Sequence, residues 1–315
     1  MWNDHNIHAQ NNAPLYVGID GGGTKCRASI YTHRLEVLGT GVAGRANPLH
    51  GLEQTFHSII ESAGLALADA GLPQRLMSDL IAGMGLAGVN VPHLYNKMMR
   101  WQHPFKKIYL TTDLHAACLG AHQSSDGALI ITGTGSCGFA QVGDKTLCLG
   151  GHGFALGDKG SGAWIGLKAA EHVLLYLDGF ACKTSLTPAI LSHCNANDAV
   201  GIVEALAGKS SSYYAAMARA VISCAEQGDL VAIDIMKEGA AYISRLARKL
   251  FSLSPARFSM VGGLSEPLQK WLDADVIAQI SPILAPPEAG AVYFALQQQC
   301  RDKDDSTSGH NHYAA

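Results

Sequence analysis

The chain has 315 residues, of which 48% are hydrophobic, and a formal net charge of -3. This length and apolar content can bury a large core and are more typical of two domains than of one. The near-neutral charge and the lack of a basic run argue against a nucleic-acid surface, so we expect a small-molecule partner. No apolar run could span a bilayer and no signal-peptide pattern begins the chain, which predicts a cytoplasmic protein with no membrane partner.

The eight cysteines are scattered along the chain without a CxxC pair. This spacing indicates neither a zinc ribbon nor a small disulfide scaffold, so reduced thiols are expected. Histidines also share no metal-ligand spacing, and we predict no structural metal. Cys26 and Cys137, which adjoin glycine-rich segments, are expected to be small buried residues rather than nucleophiles.

The first predicted element follows a polar stretch, residues 1–14, which we expect to be disordered. An apolar run from Tyr16 meets Asp20, three glycines, Thr24 and Lys25 before a second apolar run begins. This pattern predicts a β-hairpin. Glycines permit positive φ and close backbone approach, so the N–H groups of the turn can converge on a phosphate. An ordinary glycine-rich turn is the alternative.

Two features refine the phosphate reading of this hairpin. Asp20 stands at the end of the first strand, where a carboxylate can hold a hydrated Mg²⁺ near phosphates. A P-loop is excluded, because the order here is Gly-Thr-Lys and a strand follows rather than a helix.

Strands and helices then alternate through the first half of the chain. The pattern predicts a strand over 37–43, a helix from Leu52 to the stop at Gly71, and strands over 79–88 and 107–113. Such alternation is typical of an α/β fold, in which ligands collect at strand ends. Asp113 ends the last of these strands. It is either a helix N-cap or a general base that accepts a proton from a sugar hydroxyl.

The second half restarts with a second glycine hairpin over 128–142. A glycine-rich segment over 150–162 then leads into a helix from Ala163 to about Leu177. A long amphipathic helix precedes a strand over 258–261 that ends at two glycines, and Pro286-Pro287 begins a last helix. The polar end, residues 301–315, is expected to be disordered.

Two segments, Gly83–Gly88 and Gly133–Gly138, match the GxGxxG pattern and raise a dinucleotide-binding oxidoreductase as an alternative. The Gly133 segment leads into a strand rather than a helix, and the Gly83 segment lacks the acid expected about 20 residues further on. The pattern is therefore weak here. Asp158, among glycines, competes with Asp113 for the base role and suits a loop that accepts hydrogen bonds from two sugar hydroxyls.

The ordered set of motifs resembles the sugar kinase/Hsp70/actin superfamily, and within it the BadF/BadG/BcrA/BcrD-type ATPases. Within that family it resembles the N-acetylglucosamine kinase and bacterial glucosamine kinase group, from about Leu15 to Leu296. The motifs that carry this resemblance are Asp20-Gly-Gly-Gly-Thr, Asp113 after a strand, Gly133-Thr-Gly-Ser, Gly157-Asp-Lys-Gly-Ser and Gly262-Gly263.

This resemblance implies two ribonuclease-H-like lobes with a central cleft that holds ATP, Mg²⁺ and a sugar. The N-terminal lobe would span 15–112 and be completed by a C-terminal helix over 287–299, and the C-terminal lobe would span 113–286. The implied reaction is ATP-dependent phosphorylation of the 6-hydroxyl of an amino sugar, N-acetylglucosamine first. The resemblance leaves the oligomeric state open, and a homodimer is compatible with it.

The resemblance also assigns residues. Asp113 matches the catalytic base, while Asp20 is assigned to Mg²⁺, held through water, from its position at the end of the first strand. The nucleotide-binding positions are Gly21, Gly22, Gly23, Thr24, Lys25, Gly133, Thr134, Gly135, Gly262 and Gly263. The sugar-contacting positions, besides Asp113, are Asn47, Ser136, Cys137, Gly151, His152 and Asp158. Cys137 and His152 depart from the animal enzymes, which have Asn and Trp there.

Three other functions stay open at this point. Glucosamine, rather than its N-acetylated form, could be the acceptor. The radical-dehydratase activators of the same family need cysteines that ligate an iron–sulfur cluster, and the scattered cysteines offer no obvious ligand pair. A sugar-sensing regulator would need a DNA-binding segment, and none is recognisable before Leu15 or after Leu296.

Overall fold

The structure is a computed structural model that describes residues 13–308, so most of the predicted disordered segment 1–14 lies outside the described residues. The chain divides into two compact units. Unit 1 contains the described residues up to Ser125 and those from Ile283 onward. Unit 2 contains Asp126–Pro282.

Unit 1 is a five-stranded mixed sheet with helices. Its strands are β1 (Tyr16–Gly21), β2 (Cys26–Tyr31), β3 (Val37–Ala43), β4 (Ile81–Leu86) and β5 (Lys107–Thr112). Its helices are α1 (Leu52–Asp69), α2 (Pro92–Met99), α3 (Asp113–His122) and α11 (Pro287–Ser308), with 3₁₀ turns at Pro48–His50 and Gln74–Asp79. The strand order is β3-β2-β1-β4-β5, with β2 antiparallel to both β1 and β3, and with β1, β4 and β5 parallel.

Unit 2 repeats that topology with one strand fewer. Its strands are β6 (Gly127–Thr132), β7 (Ser136–Val142), β8 (Lys145–Gly150) and β9 (Phe258–Val261), in the order β8-β7-β6-β9. Its helices are α4 (Gly162–Leu177), α5 (Leu186–Cys194), α6 (Ala199–Leu206), α7 (Ser211–Glu226), α8 (Leu230–Phe251), α9 (Ser265–Gln269) and α10 (Ala274–Ile277). The three antiparallel strands are again followed by a parallel one.

The central strands explain the two cores. All six residues of β4 are buried, as expected for a strand covered on both faces. In unit 1 one core lies between α1 and the sheet, around Ile19, Ile30 and Leu67. In unit 2 the core is built from β6, α4, α7 and α8. In the described part of the chain no helix is both long and apolar enough to cross a membrane. No disulfide bond joins any of the eight cysteines, all of which lie in the described residues.

Helix α3 belongs to unit 1, whereas the predicted lobe boundary at 112 and 113 assigns it to the C-terminal lobe. The reason is close packing against α11. A Cβ on Gly290 would collide with the Ala116 carbonyl oxygen, and one on Gly120 would collide with that of Pro286. Glycines at these positions let the two helices approach at backbone distance. The units therefore divide at Ser125 and Asp126.

Two further differences concern segments that carry little local signal. Strand β8 is not predicted from the sequence, because it lies at the sheet edge and none of its residues is fully buried. Helix α11 continues to Ser308, so residues 301–308 are helical rather than disordered. Residues 309–315 lie outside the described part of the chain.

Candidate active site

The first glycine hairpin joins β1 and β2, as predicted, and its register places Asp20 opposite Arg27. Its turn is fixed by backbone hydrogen bonds, from Gly22 N to Lys25 O at 3.0 Å and from Ala46 N to Gly22 O at 2.9 Å. Contrary to the expectation of positive φ, Gly22 and Gly23 lie outside the left-handed region. Glycine contributes open space instead, because a Cβ on Gly23 would meet no described atom within 4 Å.

The tip of this hairpin presents N–H groups to solvent. Gly23, Thr24 and Lys25 are exposed. Within residues 13–308, the N–H groups of Gly23 and Thr24 form no hydrogen bond. Donors of this kind, without side chains to shield them, are suited to an anionic oxygen.

Asp20 lies at the end of β1 among charged residues from three other elements. Burial raises the pKa of Asp20 to about 7, and the negative charges of Glu288 on α11 and Asp113 on α3 act in the same direction. The positive charges of Lys25 and Arg27 lower it. Arg27 is itself paired with Glu288, from Nε to Oε1 at 2.9 Å.

Asp113 is the first residue of α3, but it is not the N-cap. Thr112 is the cap, and its Oγ1 accepts a hydrogen bond from His115 N at 3.2 Å. The capping alternative for Asp113 is therefore wrong. Oδ1 of Asp113 accepts from Leu114 N at 2.9 Å, and burial raises the pKa of this carboxyl. A carboxylate held at a strand end with a raised pKa is suited to accept a proton.

Asn47 lies near the first hairpin in sequence and in space, since the neighbouring Ala46 bonds to Gly22. Its Oδ1 accepts from Leu49 N at 3.0 Å and caps the 3₁₀ turn that follows. Gly88, with φ of 82°, has no Cβ and so leaves room for this Oδ1. The side chain of Asn47 is thus held in place by local contacts.

The second glycine hairpin joins β6 and β7 and lies against the start of α4. Gly162 N donates to Gly133 O at 2.8 Å, and Ala163 N donates to Thr134 O at 3.2 Å. The loop after β9 reaches the same place, because Leu264 N donates to Thr132 O at 3.1 Å. The structure therefore brings the predicted nucleotide-binding glycines of unit 2 together.

A cavity of about 580 Å³ adjoins this hairpin within unit 2. It is lined by Gly133, Thr134 and Gly263, and by the α7 side chains of Arg219 and Glu226. This volume lies within the range of roughly 300–1,000 Å³ that is usual for small-molecule sites. Sequence reasoning missed the contribution of α7, a helix that it does not predict.

The loop between β8 and α4 folds back onto the second hairpin and places Asp158 there. Asp158 is 8% exposed, and its Oδ1 accepts from Gly153 N at 3.2 Å. Burial raises its pKa, while the Gly153 hydrogen bond and His152 lower it. The loop is anchored at two further points, from Ser136 Oγ to Lys159 O at 2.8 Å and from Lys159 Nζ to Glu238 at 2.7 Å.

The other predicted sugar-contacting residues of unit 2 surround this loop. Gly151 N donates to Ser136 O at 3.0 Å, and a Cβ on Gly151 would lie 3.2 Å from the Cβ of Cys137. His152 is exposed, and its Cβ lies close to Gly157. One cluster therefore contains all the predicted sugar-contacting residues of unit 2, which are Ser136, Cys137, Gly151, His152 and Asp158.

Asp20 is the residue expected to hold magnesium through water. The described residues hold no group of three or more His, Cys, Asp or Glu side chains arranged around a metal ion. Magnesium is usually held by one or two carboxylates, waters and substrate phosphates rather than by a complete protein cage. Asp20, beside the open turn of the hairpin, fits that manner of binding.

The ion pair of Arg27 and Glu288 was also missed by sequence reasoning. Arg27 could have been found from the hairpin register, which places it opposite Asp20. Glu288 carries no such signal, since an acid in the first turn of a helix is ordinary.

The chain is similar in sequence to an ATPase family and to amino-sugar kinases. The family model described as the BadF/BadG/BcrA/BcrD ATPase family matches residues 17–295. The chain is 35% identical over 280 residues to the glucosamine kinase GspK of Vibrio cholerae, covering 89% of this chain and 95% of that protein. It is 27% identical to an N-acetylmuramic acid/N-acetylglucosamine kinase of Clostridium acetobutylicum, over 71% of this chain and 75% of that protein.

A solved structure from Chromobacterium violaceum, described as a candidate N-acetylglucosamine kinase, superposes with a TM-score of 0.85. The two chains are 26% identical, and the match covers 90% of this chain and 99% of that one. The predicted α/β fold of a sugar kinase with actin-like ATPase architecture is confirmed.

Proposed function

Since the chain belongs to the BadF/BadG/BcrA/BcrD ATPase family, we propose that it transfers the γ-phosphoryl group of ATP to the 6-hydroxyl of an amino sugar. The preferred acceptor in this proposal is N-acetylglucosamine, with glucosamine second. The relatives described above support an amino-sugar kinase.

The observation that carries the proposal is the position of Asp113. Because Thr112 caps α3, the Asp113 carboxylate is not needed for capping and stands at the end of β5 with a raised pKa. A hydroxyl that attacks a phosphoryl group needs a carboxylate to orient it and to accept its proton. Asp113 is the residue we assign to that step.

The nucleotide is assigned to the two glycine hairpins and the loop after β9. Phosphate oxygens would be bound by the N–H groups of Gly23 and Thr24, which follow Gly22 in the turn, and by the hairpin at Gly133–Gly135. The cavity lined by Gly263, Arg219 and Glu226 has the size of a nucleoside site and polar groups that suit a base and a ribose.

Asp20 would hold the magnesium ion of the nucleotide through water. When bound, Mg²⁺ neutralises negative charge on the β- and γ-phosphate oxygens. The protein itself holds the Asp20 carboxylate beside the hairpin turn and provides Asp113 as a separate proton acceptor.

The choice of acceptor rests on the cluster around Asp158. Free glucosamine is largely a cation near neutral pH and favours a carboxylate, whereas an acetamido group needs one donor and one acceptor. In the cluster, Ser136, Cys137 and His152 bring no negative charge, and Asp158 is already assigned to sugar hydroxyls. A pocket without a spare carboxylate favours the neutral N-acetylated sugar.

Glucosamine is the second candidate, and a specific observation favours it. The relative that is 35% identical, over nearly its whole length, is a glucosamine kinase. Cys137 and His152 lie at the positions that contact the 2-substituent in the family, so the two acceptors must be compared directly.

The test is a coupled ADP-release assay of the purified protein with ATP and Mg²⁺. The panel contains N-acetylglucosamine, glucosamine, N-acetylmuramic acid, glucose and a no-sugar control. We expect the highest kcat/KM with N-acetylglucosamine, a lower value with glucosamine and little turnover of glucose. Equal kcat/KM values for the two amino sugars, or a higher value for glucosamine, would contradict the preference for N-acetylglucosamine and support a glucosamine kinase. Sugar-independent ADP release alone would refute an amino-sugar kinase.

A further inference from the structure

Arg27 and Asp20 lie directly opposite each other in the antiparallel pair of β1 and β2. Opposed side chains on such a pair have Cβ atoms about 4.5–5.5 Å apart, and an arginine and an aspartate there are natural partners. Yet within residues 13–308 the carboxylate of Asp20 forms no ion pair, and the guanidinium of Arg27 binds Glu288 instead, from Nε to Oε1 at 2.9 Å.

Glu288 reaches Arg27 because the first turn of α11 lies directly on the sheet. A Cβ on Gly18 of β1 would collide with the Glu288 carbonyl oxygen, and one on Gly83 of β4 would collide with that of Ala291. The side chain of Glu288 is consequently only 3% exposed, while that of Arg27 is 46% exposed.

The burial of Glu288 calls for an explanation. A buried carboxylate is unfavourable unless it is paired, and a buried ion pair is a poor means of gaining stability. A favourable interaction with the helix dipole does not explain the burial either, since an exposed acid in the first turn gains it too. Glu53 in the first turn of α1 is such an exposed acid.

Four charged groups face Asp20 from the elements packed around it. They are Lys25 and Arg27 on the hairpin, Asp113 on α3 and Glu288 on α11. Lys25 lies in the turn, whereas Arg27 lies on the neighbouring strand directly opposite Asp20, so Arg27 is the cation that could neutralise it. Glu288 is the acid that engages it.

We propose that Glu288 is a positioning residue that holds the Arg27 guanidinium away from Asp20, so that the Asp20 carboxylate stays available to the hydrated magnesium ion of the nucleotide. The inference rests on the nucleotide and metal assignments of the proposed function, but not on the identity of the sugar. Without Glu288, Arg27 pairs with Asp20 and competes with the metal ion. When Arg27 is absent as well, that competition disappears.

The test is calorimetric binding of ADP, with Mg²⁺ and with EDTA, to the wild type, Glu288→Gln and the double variant Arg27→Gln/Glu288→Gln. In Glu288→Gln, the gain in ADP affinity that Mg²⁺ provides should fall by about tenfold or more, whereas affinity in EDTA should stay near the wild-type value. The double variant should recover the gain to within about threefold. Glu53→Gln is the matched control, an acid in the first turn of another helix of unit 1, and should bind as the wild type does.

Several results would overturn the inference. The first is a Glu288→Gln variant in which Mg²⁺ raises ADP affinity as much as it does in the wild type. The second is a double variant whose gain in ADP affinity with Mg²⁺ is as small as that of the single variant. The third is a wild type that binds ADP equally well with Mg²⁺ and with EDTA. If Glu288→Gln does not fold, the double variant decides, because it removes both charges of the pair, and loss of its magnesium effect would overturn the inference. Phosphorylation of a different sugar would refute the proposed acceptor and leave this binding test unaffected.

Discussion

The carboxylate of Asp158 lies so close to Gly135 that a Cβ atom at position 135 would lie 2.6 Å from Asp158 Oδ2. This proximity joins the loop before α4 to the turn of the second hairpin. A hairpin assigned to phosphate and a carboxylate assigned to sugar hydroxyls thus depend on the same glycine.

Gly135→Ala should therefore displace Asp158. We expect kcat/KM for the sugar to fall roughly 10- to 100-fold, since small misplacements of positioning groups cost about this much. Steady-state kinetics with varied sugar measures the effect. Gly64→Ala in α1 is the control, because its nearest neighbour is the flexible end of Gln74. Unchanged sugar kinetics in Gly135→Ala would remove Asp158 from the sugar site.

Asp113→Asn tests the proton acceptor. The amide cannot take the proton of the attacking hydroxyl, so kcat should fall by roughly 10²–10⁴ while ATP affinity stays near the wild-type value. Asp79→Asn is the matched control, an exposed aspartate of the same unit. Turnover near the wild-type rate in Asp113→Asn would leave Asp158 as the candidate base.

Gly22→Val tests the phosphate turn. The nearest described atom to a Cβ at this position is Lys25 O at 3.9 Å, so the fold has room for a side chain. That side chain would occupy the space in which a phosphate approaches the backbone. We expect ADP and ATP affinity measured by calorimetry to fall while the melting temperature changes little. Thr40→Val, an exposed substitution on β3, is the control. Unchanged nucleotide affinity would make the first hairpin an ordinary turn.

The raised pKa of Asp20 predicts a pH dependence of stability in the absence of metal. Because burial raises the folded-state pKa from 3.8 to about 7, the native protein keeps a proton that the unfolded chain has lost between these values. The free energy of unfolding should therefore fall as pH rises through this window and level off above it. Urea unfolding in EDTA, at several pH values between about 5 and 8, measures the slope.

Asp20→Asn isolates this contribution, because other titrating groups cancel in the difference from the wild type. The variant should lose less stability than the wild type as pH rises. Parallel stability curves for the two proteins would show that Asp20 does not carry the shifted pKa.

Much of the fold was predictable because its signals are local. Strands β3 and β9 have the bounds that alternating or continuous apolar residues predict, and glycine-rich turns mark both hairpins. Strand β8 escaped prediction because it is an edge strand with little apolar signal. The placement of α3 depends on contacts with α11, such as that between Ala116 and Gly290, which no local pattern reveals.

The candidate site divides in the same way. Asp20, Asp113 and Asp158 stand beside turns or strand ends, where single residues are informative. The pairing of Arg27 with Glu288 joins opposite ends of the chain, and Thr112 rather than Asp113 caps α3. Both facts required side-chain geometry, because either threonine or aspartate is a favoured cap.

The most direct measurement of the central claim is the structure of the product. The protein is incubated with ATP, Mg²⁺ and N-acetylglucosamine, and the product is examined by proton–phosphorus correlation NMR. We expect one sugar phosphate, whose phosphorus couples to the two protons on C6, formed in equal amount with ADP. Coupling to the proton on C1, or release of inorganic phosphate without a sugar ester, would contradict a 6-hydroxyl amino-sugar kinase.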